Sequence, residues 1–329
     1  MTDQELARAM AGDKTAFAVL VEPFRGELHL HCYRMLGSVQ DAEDALQETL
    51  VAAWRGLGTF EGRSSFRAWL YRIATNKSLN AMRAARSRPD ATPAAHLPQP
   101  TRIGEPLWLE PYPDEAVDGL PDSAPGPEAR YTAREATSLA FTAALQHLAP
   151  GQRAALILRD VLGFRAAEAA SLLGCSVAAA NSMLQRARAV VARELPPGYL
   201  EQAPLPGSAR ERELVATFTD AYERGDVGAV VALLTDDATL TMPPLPFIYQ
   251  GRAAIAGFLG AICAIHRYRL IPVSANGQPS FGLYVCDDAS GIGRAHGLLV
   301  VTLAKDGVSA ITRFLDTGIM GRFGLPRML

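Results

Sequence analysis

The sequence lacks any apolar run approaching the roughly 18 residues that cross a bilayer. Its start, MTDQELARAM, is polar rather than a signal segment. Both absences predict a cytoplasmic chain with no membrane partner. Cysteine is sparse: Cys32, Cys175, Cys263 and Cys286 are scattered and form no CxxC. That argues against a disulfide framework or a cysteine zinc site, and predicts buried thiols in a reducing compartment. Charge of one sign is also lacking, since 32 Lys and Arg stand against 34 Asp and Glu. A strongly basic nucleic-acid binder is excluded, so any DNA binding is weak alone or shared with a partner. No internal repeat is visible. What is present is 329 residues, 49% of them hydrophobic, enough for two or three domains with real cores.

Composition divides the chain. Residues 1–88 read as helical. Residues 89–129 are rich in Pro, Gly and acids and read as a linker. Residues 130–195 are helical again, 196–207 form a second Pro-rich linker, and 208–329 change to an α+β pattern. The expected fold class is therefore multidomain: two all-α domains followed by an α+β domain.

Residues 161–193 carry the most specific local signal. Gly163 and Phe164 end one helix, and 165–173 form a short one with apolar Ala169, Leu172 and Leu173. Gly174, Cys175 and Ser176 make a tight turn, because Gly tolerates the left-handed backbone at a helix end. Ser176 is a good N-cap for the next helix. That helix exposes Asn181, Ser182, Gln185, Arg186 and Arg188. The pattern is a helix-turn-helix, whose last helix fits the major groove.

In the first block, Ser38 is placed to cap a helix whose early acids suit its positive end. Ala45, Leu46, Thr49, Ala53 and Trp54 form its expected buried stripe, leaving Asp41, Asp44, Gln47 and Glu48 outside. The residues alone fit a solvated acidic face or a docking face for a basic partner. The next helix mixes Phe66, Trp69 and Tyr71 with Arg67, Arg72, Lys77, Arg83 and Arg86. Phe66, Trp69, Leu70 and Ile73 are core at helical spacing. Asn76, Asn80 and Arg83, at i, i+4 and i+7, share another face and suit nucleic-acid contact. His29, His31 and Cys32 do not converge on one metal. Gly291, Gly293 and Gly297 precede no helix, so no phosphate loop is implied. No metal or cofactor is expected.

Three motifs now stand in order: DAEDALQETLVAAW, FRAWLYRIATNKSLN, and the helix-turn-helix ending in SMLQRARAVV. Together they resemble bacterial RNA polymerase sigma factors of the compact extracytoplasmic-function group, over about residues 1–195. The resemblance implies that Asp41, Asp44, Gln47 and Glu48 face the β′ clamp helices of core polymerase. It implies that Arg63, Asn76, Asn80 and Arg83 belong to the part that melts and reads the minus-ten promoter element. Residues 60–64 would form the pocket for a flipped base, whose Watson–Crick edge is exposed once unstacked. Ser176, Asn181, Ser182, Gln185, Arg186 and Arg188 would read the minus-thirty-five element. The sequence departs from the common pattern at Asn181 and Met183, where many relatives carry Lys and Arg. That weakens phosphate attraction. The linker is also long and holds Trp108, Tyr112 and Asp114 among prolines. A solvated spacer has no use for Trp108, so these three are expected to dock on a folded domain or to form a local cluster. The run resembles a feature of sigma factors with a fused C-terminal domain.

Residues 210–329 resemble the SnoaL-like branch of the cone-shaped nuclear-transport-factor superfamily. Helices are expected at 210–224, 227–234 and near 253–262. Curved antiparallel strands are expected at 238–242, 268–273, 280–287, 298–304 and 310–315. Such cones often enclose a pocket. Tyr222, Tyr249, His266 and Arg313 are its candidates here, with His296 and Asp316 near the late strands. No pair has a spacing that compels catalysis, so the chain reads as a non-enzyme. Its cone is expected to regulate the sigma part in cis, through the sigma domains or the linker. The alternatives are a stand-alone helix-turn-helix regulator, and a small-molecule enzyme or sensor built on the cone.

Overall fold

Short polar side chains and glycines set the helix boundaries of the N-terminal half. The computed structural model describes residues 3–62, 64–84, 97–117, 133–195, 203–287 and 289–329. Its first four helices are α1 (Asp3–Met10), α2 (Lys14–Leu36), α3 (Val39–Gly56) and α4 (Phe66–Ala84). Asp13 caps α2 by accepting from the N–H groups of Thr15 and Ala16. Gly37, at φ 80, ends α2, and Ser38 caps α3 through the Asp41 N–H. Leu28, Tyr33 and Met35 of α2 meet Ala42, Ala45, Leu46 and Ala53 of α3 and Leu70, Tyr71 and Ala74 of α4, all buried. Trp54, expected in the stripe, is half-buried with its ring against Phe17 at 5.2 Å.

Five more helices follow: α5 (Ala133–Thr137), α6 (Leu139–Gln146), α7 (Pro150–Leu156), α8 (Ala166–Leu173) and α9 (Val177–Glu194). α7 runs on into a π-helical turn, Ile157–Val161. Between α8 and α9, Gly174 takes φ 64 and the Ser176 hydroxyl accepts from the Ala179 N–H, so the helix-turn-helix forms as its turn residues dictate.

The chain divides into two compact units, one of Met1–Arg88 with Glu115–Leu195, the other of Pro89–Asp114 with Pro196–Leu329. In the first unit the two helical blocks are joined. Arg34 Nε donates to the Ala136 carbonyl at 2.8 Å, and Arg153 Nη1 donates to that of Met35. The Tyr71 ring meets Phe164 at 5.5 Å.

The second unit is a seven-stranded sheet against three helices, α10 (Ala209–Glu223), α11 (Val227–Ala232) and α12 (Arg252–Cys263). Its strands are β1 (Arg102–Ile103), β2 (Leu234–Met242), β3 (Leu245–Gln250), β4 (Arg267–Ala275), β5 (Gln278–Cys286), β6 (Gly293–Ala304) and β7 (Gly307–Phe314). The order is β1-β3-β2-β7-β6-β5-β4. Alternate residues such as Phe281, Leu283, Leu299, Val301 and Ile311 face Phe218, Tyr222, Phe258 and Leu259 of the helices in one core. Three features differ from the expectation for this unit. β2 and β7 run parallel, because β2 opens the domain and β7 returns beside it. β3 was not legible as a strand, since Leu245–Gln250 shows no two-residue alternation of burial and contains Pro246. The second helix also ends at Ala232, two residues before β2 begins.

Candidate functional site

On α3, Asp44, Gln47 and Glu48 are exposed and Asp41 is half-buried. Glu48 pairs with Lys77 of α4 at 3.2 Å. An exposed pair of this kind is worth at most about 1 kcal/mol. Asn76, Asn80 and Arg83 are all exposed along α4, and Arg83 Nη1 donates to Asn80 Oδ1 at 2.9 Å. Arg63 lies outside the described residues. Phe60 rests on Phe66 and Trp69, at 5.7 and 5.2 Å between ring centroids. Arg67 is engaged inside the unit: Nη2 donates to Glu27 Oε2 at 2.8 Å, and the guanidinium lies 4.8 Å from the Tyr71 ring centroid.

On α9, Asn181, Ser182, Gln185 and Arg186 are exposed. Ser176 is exposed but its hydroxyl is spent on the cap. Arg188 departs from the expected DNA-facing set. Its Nε and Nη2 donate to the two oxygens of Asp160 at 2.7 and 2.6 Å, and the Asp160 side chain is only 1% exposed. A buried carboxylate is costly without a cation, so the π turn and α9 are held together by this fork.

In the second unit, Tyr222 of α10, Tyr268 of β4 and Arg313 of β7 are buried, with His266 and His296 half-buried beside them. Ring centroids lie 5.7 Å apart for Tyr222–Tyr268, 6.0 Å for His266–Tyr268 and 6.2 Å for His266–His296. The Arg313 guanidinium lies 5.5 Å from the Phe258 ring and 5.6 Å from the Tyr268 ring. Burial pushes the Tyr222 phenol up to about 12. Burial, then the charge of Arg313, takes the His296 imidazole down to about 4. His296 owes its aim to a bulge: Leu283 pairs with Gly297 and Tyr284 with Ala295, so His296 is the extra residue. Gly297 sits at φ 136, and a Cβ there would meet the Phe314 carbonyl oxygen at 1.9 Å, which reserves the place for glycine. Tyr249 is not in this group. Its ring contacts Phe258 at 4.7 Å while its hydroxyl donates to the Pro98 carbonyl at 2.6 Å. Asp316 caps a 3-10 turn through the Gly318 N–H at 2.7 Å. Sequence reasoning missed Tyr268 and Phe258 as partners of Arg313. The alternation of β4 was the available signal for Tyr268; none marked Phe258 out from core.

The stretch read as a linker supplies part of this unit. β1 pairs with β3, and Thr101 Oγ1 accepts from the Gln250 N–H at 3.1 Å. The Tyr112 N–H donates to Asn276 Oδ1 at 2.8 Å, and its carbonyl accepts from the Asn276 N–H at 2.9 Å. Asp114 Oδ1 accepts from the Gly277 N–H at 2.8 Å. Tyr112 is buried and Trp108 half-buried. Asn276 reaches the strap from the β4–β5 turn at φ 57, a conformation Asn adopts at modest cost.

Three family profiles match in order: Sigma-70 region 2 over residues 20–88, Sigma-70 region 4 over 138–190, and the SnoaL-like domain over 215–310. The ECF RNA polymerase sigma factor SigG of Mycobacterium tuberculosis is 40% identical over 324 residues, covering 95% of this chain and 85% of that protein. The chain belongs to the ECF RNA polymerase sigma factors. SigJ of the same organism is 32% identical over 220 residues, 67% of this chain and 62% of that protein. The crystal structure of SigJ shares the fold with a TM-score of 0.58 at 23% identity, covering 92% of this chain and 98% of that one. In this sigma factor, region 2 therefore spans most of α2 through α4, and region 4 spans α6 through most of α9. The strap and Arg313 both fall outside the matched SnoaL-like segment. Among the described residues, no helix is long and apolar enough to cross a membrane.

Proposed function

We propose that this sigma factor docks on the β′ clamp helices of core RNA polymerase through Asp41, Asp44, Gln47 and Glu48. Arg63, Asn76, Asn80 and Arg83 then serve the minus-ten element, and Asn181, Ser182, Gln185 and Arg186 the minus-thirty-five element. The SnoaL-like unit modulates this activity in cis.

The strap carries the cis reading. Residues 97–117 belong to the stretch of sequence that joins region 2 to region 4, yet Ile103 pairs with the SnoaL-like sheet and Tyr112 and Asp114 are bonded to its β4–β5 turn. Chain held in a sheet is not available as spacer. The reach between the two promoter-reading helices then depends on whether the strap is seated.

In vitro transcription with core polymerase over a promoter library tests this. Full-length protein is compared with a chain ending at residue 207 and with the double variant Asp114→Ala, Asn276→Ala. All three are expected to select the same promoters, with transcript yield altered in both changed forms. Unchanged yield and core affinity in both would rule out modulation by the SnoaL-like unit. Tight promoter selection without core would favour a stand-alone regulator.

A further inference from the structure

The C-terminal unit holds a buried cation with no anion to match it. Arg313 is 2% exposed, and its Nε has no hydrogen-bond acceptor. No Asp or Glu is buried among the described residues of this unit. Arg313 has the rings of Phe258 and Tyr268 beside it and a hydrogen-bond contact with the Tyr268 side chain, but two cation–π contacts and a neutral phenol return less than the desolvation of a guanidinium takes. A second polar atom at the same place is equally unserved. The Tyr222 hydroxyl is buried without a partner, and its ring leans on Tyr268. The neighbours of these two groups are aromatic: Phe258 flanks Arg313, Phe218 lies 5.6 Å from the Tyr222 ring, and Phe281 stacks on Phe218. Towards the half-exposed side stand His266 and His296.

We infer that the interior of the SnoaL-like unit is a binding site for a small organic monocarboxylate, its head group on Arg313 and Tyr222 and its apolar body along Phe218, Phe258 and Phe281. A planar carboxylate matches the guanidinium fork, and a phenol adds a third donor. A monoanion balances the site, because Arg313 is the buried cation of this unit among the described residues and His296 is neutral at ordinary pH. A phosphate dianion would arrive with one charge in excess. The site is independent of how transcription is modulated, and binding is read without polymerase, so failure here leaves the cis reading standing and the reverse holds too.

Calorimetric titration of the full chain with octanoate, benzoate and 2-naphthoate, each against its own amide and against inorganic phosphate, decides the matter. At least one acid is expected to bind about tenfold or more tightly than its amide, the margin a charge-assisted pair confers. In Arg313→Met the acid and amide fall to parity while amide affinity holds. Tyr222→Phe, which removes one hydroxyl, weakens the acid alone, by several-fold. Without ligand, Arg313→Met is expected to melt at or above the wild-type temperature, because an uncompensated charge has been replaced by an apolar chain of similar volume. Acid–amide parity in the wild type, tighter binding of phosphate than of every acid, or a lower melting temperature or failure to fold in Arg313→Met would each overturn the inference.

Discussion

Asp160 and His31 show how much rests on single buried groups. Asp160 is fully enclosed and held by the Arg188 fork. Arg188→Met is expected to cost about 3–5 kcal/mol in chemical denaturation, because it strands a buried carboxylate, and Asp160→Asn in the same chain should recover most of that loss. His31 is buried against Thr75 Oγ1 at 3.0 Å, and burial, then the charges of Arg34 and Arg67, lowers its imidazole to about 3. Its folded value lies below the unfolded one of about 6.5, so protons favour the unfolded chain. The stability is complete above about pH 6.5 and is lost as pH falls toward 3, by at most about 1.4 kcal/mol per pH unit. His31→Gln should flatten the denaturation midpoint between about pH 6 and 4; an unchanged slope would contradict this. At this scale the caps were legible: Ser38, Gly174 and Ser176 act as their chemistry requires. The Arg188 fork was not, because a carboxylate at Asp160 and a cation 28 residues on carry no local signature of pairing.

Among elements, α9 presents four exposed polar side chains of the expected set, and Arg186 is the single cation in that group. Arg186→Ala is expected to lower promoter affinity about tenfold and to flatten the dependence on log salt by about one. Asn181→Arg should steepen it by about one, measured by fluorescence anisotropy of holoenzyme on promoter duplex across potassium chloride concentration. The strap is an element in the same sense, though only two of its residues form a strand. Asn276→Ala deletes the bond to the Tyr112 N–H and disfavours the φ of 57. It should loosen the strap by about 1–2 kcal/mol, seen as faster proteolysis near Ile103 and Tyr112 with unchanged cleavage elsewhere. β4 was readable because one face is core and the other is not, and β5 to β7 because they are apolar runs buried on both faces over most of their length. β1 and β3 were not, because a two-residue strand has no period and Pro246 masks its neighbour.

For the molecule as a whole, near-balanced charge limits what the chain does alone. Without core polymerase, its affinity for promoter duplex is expected to stay in the micromolar range or weaker at physiological salt; nanomolar binding by the free chain would contradict this. The order of blocks along the chain was legible in the sequence. That the two helical blocks share one unit, and that the strap belongs to the other, was not, since both follow from contacts between distant residues such as Arg34 with Ala136 and Tyr112 with Asn276.

The seating of Tyr112 on Asn276 also fixes an order in time. On the ribosome the strap is made first, and its seat follows 164 residues later. At about 5–20 residues per second that is a wait on the order of 10–30 s. Region 4 is synthesised inside that interval, so both helical blocks are made before the Asn276 seat of Tyr112 exists. Every newborn copy passes through a stage with its helices complete and its strap unseated, and a nascent chain stalled before residue 276 stays there.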